Sequence, residues 1–186
     1  MHTQDIMSRP PITCGPEDRL DQAARLMWEH DCGTVMVTEP RGQLVGIITD
    51  RDICIAAYTQ GKAPSEIRVA EAMANQVHSC RCTDLVEQAL VLMARAQVRR
   101  LPVVTADNRP IGLLSLNNLI RYCAASDDHL RRQLVQTMAI ICQPRSVEAW
   151  ANGAGGAVQH WHLREVPEKE NDQAGGVPGA ISVRCS

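Results

Sequence analysis

A chain of 186 residues with 45% apolar content, eight cysteines and a formal charge of −2 is long enough for one domain or two small ones and apolar enough to bury a core. Those figures exclude a disordered chain. With basic residues neither in excess nor clustered, they also give no electrostatic footprint for a nucleic acid or a membrane surface. The opening MHTQDIMSRP has no charged stretch leading into an apolar one, and no run is long enough to span a bilayer, so a cytoplasmic chain with reduced thiols is expected. The cysteines are scattered without a CxxC pair, which argues against a disulfide framework.

In chain order, a short apolar segment (12–14) comes first. Leu20, Ala23, Ala24 and Met27 then follow at helical spacing. Pro16 with Glu17 and Asp18 is read as the opening of that helix, since proline presets φ and carboxylates suit the positive end of the dipole. Two apolar runs, TVMVTE and QLVGIIT, split by PRG, predict a pair of strands. A second helix is expected from about Asp50 to Tyr58. The same order returns: an apolar segment (77–80), then Val86, Ala89, Leu90 and Met93 at helical spacing. The strands LPVVT and IGLLS and a helix from about Asn117 to Cys123 complete it.

Adding 66 to residue numbers 5–54 lays the first of these runs on the second without a gap. Met7 meets Met73, Cys14 meets Cys80, Met27 meets Met93, Val37 meets Val103 and Gly46 meets Gly112. A repeat this long, seen twice, implies two small subdomains that bury their faces against each other, each β-α-β-β-α. After them, Leu130, Leu134, Met138 and Ile141 form one stripe of a helix capped by Ser126 and stopped by Pro144, expected to pack on the pair or on a partner. From about Arg145 the composition is that of a flexible tail. The expected layout is 1–62 and 63–125 for the two repeats, 126–143 for the helix and 144–186 for the tail.

The RLPVV run at 100–104, and the pattern Gly, two apolar residues, Thr or Ser, two variable residues, Asp or Asn at 46–52 and 112–118, resemble the cystathionine β-synthase (CBS) domain, which occurs as a tandem pair, the Bateman module. The resemblance covers about residues 3–125 and implies an α/β (α+β) fold in which the two repeats pack as a pseudo-two-fold pair. It further implies a regulatory role, with an adenine nucleotide or related adenosyl ligand (AMP, ADP, ATP, NAD or S-adenosylmethionine) bound in clefts between the copies. It also implies joining into a homodimer through the helices that follow the motifs, where Ala56 and Ala57 offer a small face.

The residues of the motif carry chemistry of their own. Gly46 lets a ligand approach the backbone, Thr49 ends the strand in a hydroxyl, and Asp52 one helical turn on can accept from two vicinal hydroxyls such as those of a ribose. The first turn of the following helix is expected to offer unpaired N–H groups to an anion. By the resemblance, Ile48, Thr49, Asp50 and Asp52 border the nucleoside, with Thr49 near the nucleoside or its phosphate and Asp52 on the ribose. The bland alternative is that Thr49 or Asp50 caps a helix and Asp52 is a solvated acid.

In the second copy Gly112 and Ser115 keep the pattern, but Leu116, Asn117 and Asn118 replace Asp50, Arg51 and Asp52, so that cleft is expected to bind more weakly or stay empty. Arg99 and Arg100, in the slots of Gly33 and Thr34, are phosphate candidates by the resemblance, and Arg51 is a further one. His78, Cys80 and Cys82 alternate as metal ligands on one strand face would, although Cys80 repeats Cys14 and so suits a core position. No nucleophile–base pair or acid/base carboxylate pair stands out. Enzyme activity is therefore not expected, and the resemblance implies a sensor with no catalytic cofactor and no metal, signalling to another protein. The alternatives are a thiol- or metal-responsive protein using His78, Cys80 and Cys82, or a structural dimerisation module with empty clefts.

Overall fold

The computed structural model describes residues 1–124 and 128–143. The elements are β1 (Thr13–Cys14), α1 (Leu20–Glu29), β2 (Thr34–Thr38), β3 (Leu44–Thr49), α2 (Asp50–Gln60), β4 (Cys80–Arg81), α3 (Val86–Ala96), β5 (Arg100–Val104), β6 (Pro110–Ser115), α4 (Leu116–Ala124) and α5 (Asp128–Ile141). The unit β-α-β-β-α thus occurs twice, as the apolar periodicity implies.

Each copy builds a three-stranded sheet, β1-β2-β3 and β4-β5-β6, with the first pair parallel and the second antiparallel. The register repeats with the sequence: Cys14 pairs with Val37 and Val37 with Gly46, as Cys80 pairs with Val103 and Val103 with Gly112. The helical stripes face these sheets. Leu20, Ala23 and Met27 pack with Val35, Val37 and Ile48 in the first core, while Val86, Ala89, Leu90 and Met93 pack with Leu101, Val103 and Leu114 in the second. Met36, Leu44 and Val104 form a third cluster that joins residues of the two sheets. The central strands therefore bury both faces and read as continuous apolar runs rather than alternating ones.

Helix α1 starts at Leu20, later than Pro16 suggests. Asp18 turns its carboxylate back to accept the Gly15 N–H at 2.7 Å, and the Leu20 N–H is taken by Ile67 O at 3.0 Å. The segment 16–18 is thus held as a turn by its own side chain and by a tertiary contact that sequence spacing does not reveal. Helix α5 uses the expected stripe, with Leu130, Leu134 and Ile141 buried and Met138 half-buried in the second core. Ser126, Pro144 and the 144–186 tail lie outside the described residues.

The leading segments are exchanged between the copies. Residues Met7 and Ile6, which begin the first repeat, pack in the second core, and Val69, Ala72 and Met73, which begin the second repeat, pack in the first. Ser8 N–H donates to Leu113 O at 2.9 Å and Leu113 N–H to Ser8 O at 3.1 Å; the matched pair Ala74 and Ile47 does the same at 2.9 and 3.1 Å. Neither core is complete without a piece of the other repeat, so the two halves fold as one unit. Ala56, expected on a helix–helix surface, is instead buried in its own core.

Candidate functional site

The motif residues converge where β3 turns into α2. Thr49 is the N-cap of α2 and Asp52 its third helical residue, and together they close a capping box. Thr49 N–H and Oγ1–H both donate to Asp52 Oδ2, at 2.9 and 2.7 Å, while Asp52 N–H donates back to Thr49 Oγ1 at 3.3 Å. That box orients the carboxylate: Oδ2 is turned to the helix end, and Oδ1 carries no hydrogen bond among the described residues. Asp52 is half-buried, so Oδ1 is an acceptor held in place by the cap.

The expectation of free helix N–H groups does not hold. Asp50 N–H lies 3.5 Å from Gly33 O, Arg51 N–H donates to Asp50 Oδ1 at 2.8 Å, and Asp52 N–H is used in the box. With its hydroxyl proton committed to Asp52, Thr49 is also a poor donor to a phosphate. Charge for an anion must then come from side chains. Arg100 supplies it from the other repeat: its Nη2 lies 3.4 Å from where a Cβ on Gly33 would stand, and Asp50 Oδ2 lies 3.0 Å from the same point. Gly33 is therefore the gap across which the second repeat's guanidinium meets the first repeat's motif. Arg51, Arg99 and Arg100 take part in none of the ion pairs among the described residues. Arg99 precedes β5 and is exposed, while Arg100 opens the strand half-buried, and it is the Arg100 guanidinium that stands beside Gly33 with Asp50.

Two further expectations are corrected. Ile48 is fully buried in the first core, so its side chain is withdrawn from any ligand. Gly46 and Gly112 do permit a close approach, but to the chain itself. A Cβ on Gly46 would stand 2.5 Å from Met73 Sδ and 3.3 Å from Ala74 O; one on Gly112 would stand 2.5 Å from Met7 Sδ and 2.8 Å from Ser8 O. Methionine and glycine recur together at matched positions of both repeats, and that co-occurrence is the signal that could have disclosed the exchange.

The second cleft has the same cap with different chemistry. Ser115 N–H donates to Asn118 Oδ1 at 2.9 Å and Asn118 N–H returns to Ser115 Oγ at 3.3 Å. Asn118 is buried and its amide donates to Ser8 Oγ at 3.1 Å. Position 118 thus carries a neutral amide where position 52 carries a carboxyl group. An open groove of about 470 Å³ borders the first motif at Gly33 and Asp50 and runs along α1 and α2 past Trp28 and Cys54; Thr49, Asp52 and Arg100 do not line it.

The metal constellation does not assemble. β4 is only two residues long, so strand alternation does not carry from His78 to Cys82. His78 is exposed while Cys80 is buried in the second core, where desolvation first and Asp84 second push its thiol up to about 12. Cys14, its counterpart beside Asp18, is raised to about 12 in the same way. No group of three metal-ligating side chains occurs among the described residues, and no helix among them is long and apolar enough to cross a membrane.

Two interlocked β-α-β-β-α halves with a capped acid and an arginine from the opposite half at their junction define a tandem-repeat module. The chain belongs to the CBS domain family, whose model matches residues 4–58 and 69–125. It is 35% identical over 116 residues to the CBS domain-containing protein YhcV of Bacillus subtilis, covering 62% of this chain and 81% of that one. It spans 60% of the length of an uncharacterised relative from Methanopyrus kandleri. Among solved structures, the CBS domain pair of protein MJ0100 in complex with 5′-methylthioadenosine and S-adenosyl-L-methionine superposes with a TM-score of 0.62 at 25% identity, over 68% of this chain and 98% of that one. Hypoxic Response Protein I, determined with two coordinated zinc ions, gives 0.60 at 28% identity, over 66% and 98%.

Proposed function

We propose that this protein is a non-enzymatic regulatory module that binds one adenosyl ligand between its repeats and passes the change to a partner protein. Two observations carry this reading: Asp52 Oδ1, left by the capping box without a hydrogen bond among the described residues, and Arg100, which the other repeat brings to Gly33 and Asp50 of the same motif. Asp52 takes the ribose hydroxyls, and Arg100, with Arg51, takes phosphate or carboxylate oxygens of the ligand. The adenosyl ligands of the MJ0100 pair support the ligand class. The module acts as a homodimer, for which Trp28 on α1 and Tyr58 on α2, 87% and 85% exposed, supply apolar surface.

A thermal-shift panel of AMP, ADP, ATP, NAD, S-adenosylmethionine and methylthioadenosine tests the reading. A ligand at a hundred times its dissociation constant stabilises the fold by about 2.7 kcal/mol. The zinc in Hypoxic Response Protein I makes zinc and a chelator necessary further arms. A shift with zinc alone replaces the nucleotide reading with a metal one, and no shift at all leaves a structural module.

A further inference from the structure

We propose that Ser8 and Ala74, matched residues of the exchanged leading segments, decide which of the two clefts accepts a ribose; the proposal rests on the nucleotide reading above. In both halves the capping box fixes one side-chain atom of the third helical residue inward, so the other must point out. At position 118 the inward atom is Oδ1, because it accepts the Ser115 N–H, and the outward atom is therefore the donor Nδ2. At position 52 the inward atom is Oδ2 and the outward atom is the acceptor Oδ1. The two clefts thus present opposite hydrogen-bond polarity at equivalent places.

The leading segments complete the difference. Ser8 sits on Leu113 as Ala74 sits on Ile47, held by the same reciprocal pair of backbone hydrogen bonds. The hydroxyl of Ser8 lies 3.1 Å from Asn118 Nδ2 and occupies the outward atom, and Asn118 is left only 6% exposed. Ala74 has no hydroxyl to offer Asp52, which leaves Oδ1 for a ligand. Ser8 therefore stands to Asn118 as a ribose hydroxyl would stand to Asp52: the chain satisfies its own second site and keeps the first one open.

Changing Asn118 to an acid is then insufficient to open the second cleft, since the Ser8 hydroxyl can reverse and donate to the new oxygen. The gate opens when the hydroxyl goes as well. Equilibrium dialysis of the full chain against AMP counts the sites. The expected stoichiometry is one per chain for the parent and for N118D, and two for N118D combined with S8A, the second site being lost when AMP is replaced by its 2′,3′-dideoxy analogue. In the first cleft, A74S is expected to weaken AMP by about tenfold, because the added hydroxyl competes for Oδ1. Both asparagine variants keep the capping geometry that Asp52 already uses. Two sites in N118D alone, or no added site in N118D/S8A, overturns the gate. A parent that binds no AMP overturns the nucleotide reading for AMP instead, and the gate is then judged on whether N118D/S8A gains a site over N118D.

Discussion

Met73 lies over Gly46, its Sδ where a β-carbon would collide at 2.5 Å, and the second copy repeats the contact with Met7 over Gly112. These contacts lock each repeat's leading segment onto the other's sheet. In Gly46→Ala the nearest obstacle is a flexible thioether, and the Ala74 carbonyl at 3.3 Å is only tight. In Gly112→Ala the Ser8 carbonyl at 2.8 Å belongs to backbone that is itself hydrogen-bonded to Leu113. Overpacking costs about 1–3 kcal/mol, so both variants lose stability in urea denaturation and Gly112→Ala loses more. Equal or negligible losses would mean the segments are loosely held.

Asp52 has two functions that substitution can separate. Asp52→Ala removes the capping box and costs about 0.5–2 kcal/mol of stability as well as the ribose contact. Asp52→Asn keeps an inward oxygen for Thr49 but turns the outward atom into a donor. Its melting temperature should stay near the parent's while adenosyl affinity falls by about tenfold to a hundredfold, which titration calorimetry measures. Unchanged affinity in Asp52→Asn returns Asp52 to a purely structural role.

The architecture was legible because it is local. Apolar spacing places Leu20, Ala23 and Met27 on one face of α1 and Val86, Ala89 and Met93 on one face of α3, and the fixed offset of 66 doubles every such signal. The cap of α2 was also legible, since Thr-x-x-Asp is a local pattern. What was hidden is non-local: Ile67 O intercepts Leu20, Met73 fills Gly46, and Ser8 reaches Asn118 across 110 positions of chain. Gly46 reads as room for a ligand until the segment that fills the room is placed. Likewise Arg99 and Arg100 read as a pair, and only the fold puts Arg100 beside Gly33 while Arg99 lies exposed ahead of β5.

The buried thiols give the fold a pH limit. Cys14 and Cys80 are each raised from an ordinary value near 9 to about 12, by desolvation first and by Asp18 and Asp84 second. A raised value means that the folded state holds the proton more tightly than the unfolded chain. The stabilisation is therefore complete below about pH 9 and lost progressively as pH rises from 9 towards 12. Denaturation midpoints should be level from pH 7 to 9 and fall above it, and Cys14→Ala with Cys80→Ala should flatten that fall. At pH 8, iodoacetamide should modify the exposed Cys54 and Cys142 well before Cys14 or Cys80.

Arg100 gives the sharpest test of a site shared between repeats. Its guanidinium comes from β5 yet approaches Asp50 and Gly33 of the first copy, and it takes part in no ion pair among the described residues. A cation held without a partner beside a carboxylate-tipped motif is suited to a ligand's phosphate, and Arg–phosphate contacts are charge-assisted and strong. Arg100→Ala should therefore cost AMP about tenfold or more in affinity while leaving adenosine nearly unchanged. Arg99→Ala, at an exposed position ahead of β5, should leave both within about twofold, well inside the tenfold that 1.4 kcal/mol represents. Raising the salt concentration should narrow the AMP-over-adenosine margin in the parent and not in Arg100→Ala. If Arg100→Ala weakens adenosine and AMP alike, the arginine shapes the cleft without reading the phosphate, and the charge for the anion has to be sought in Arg51.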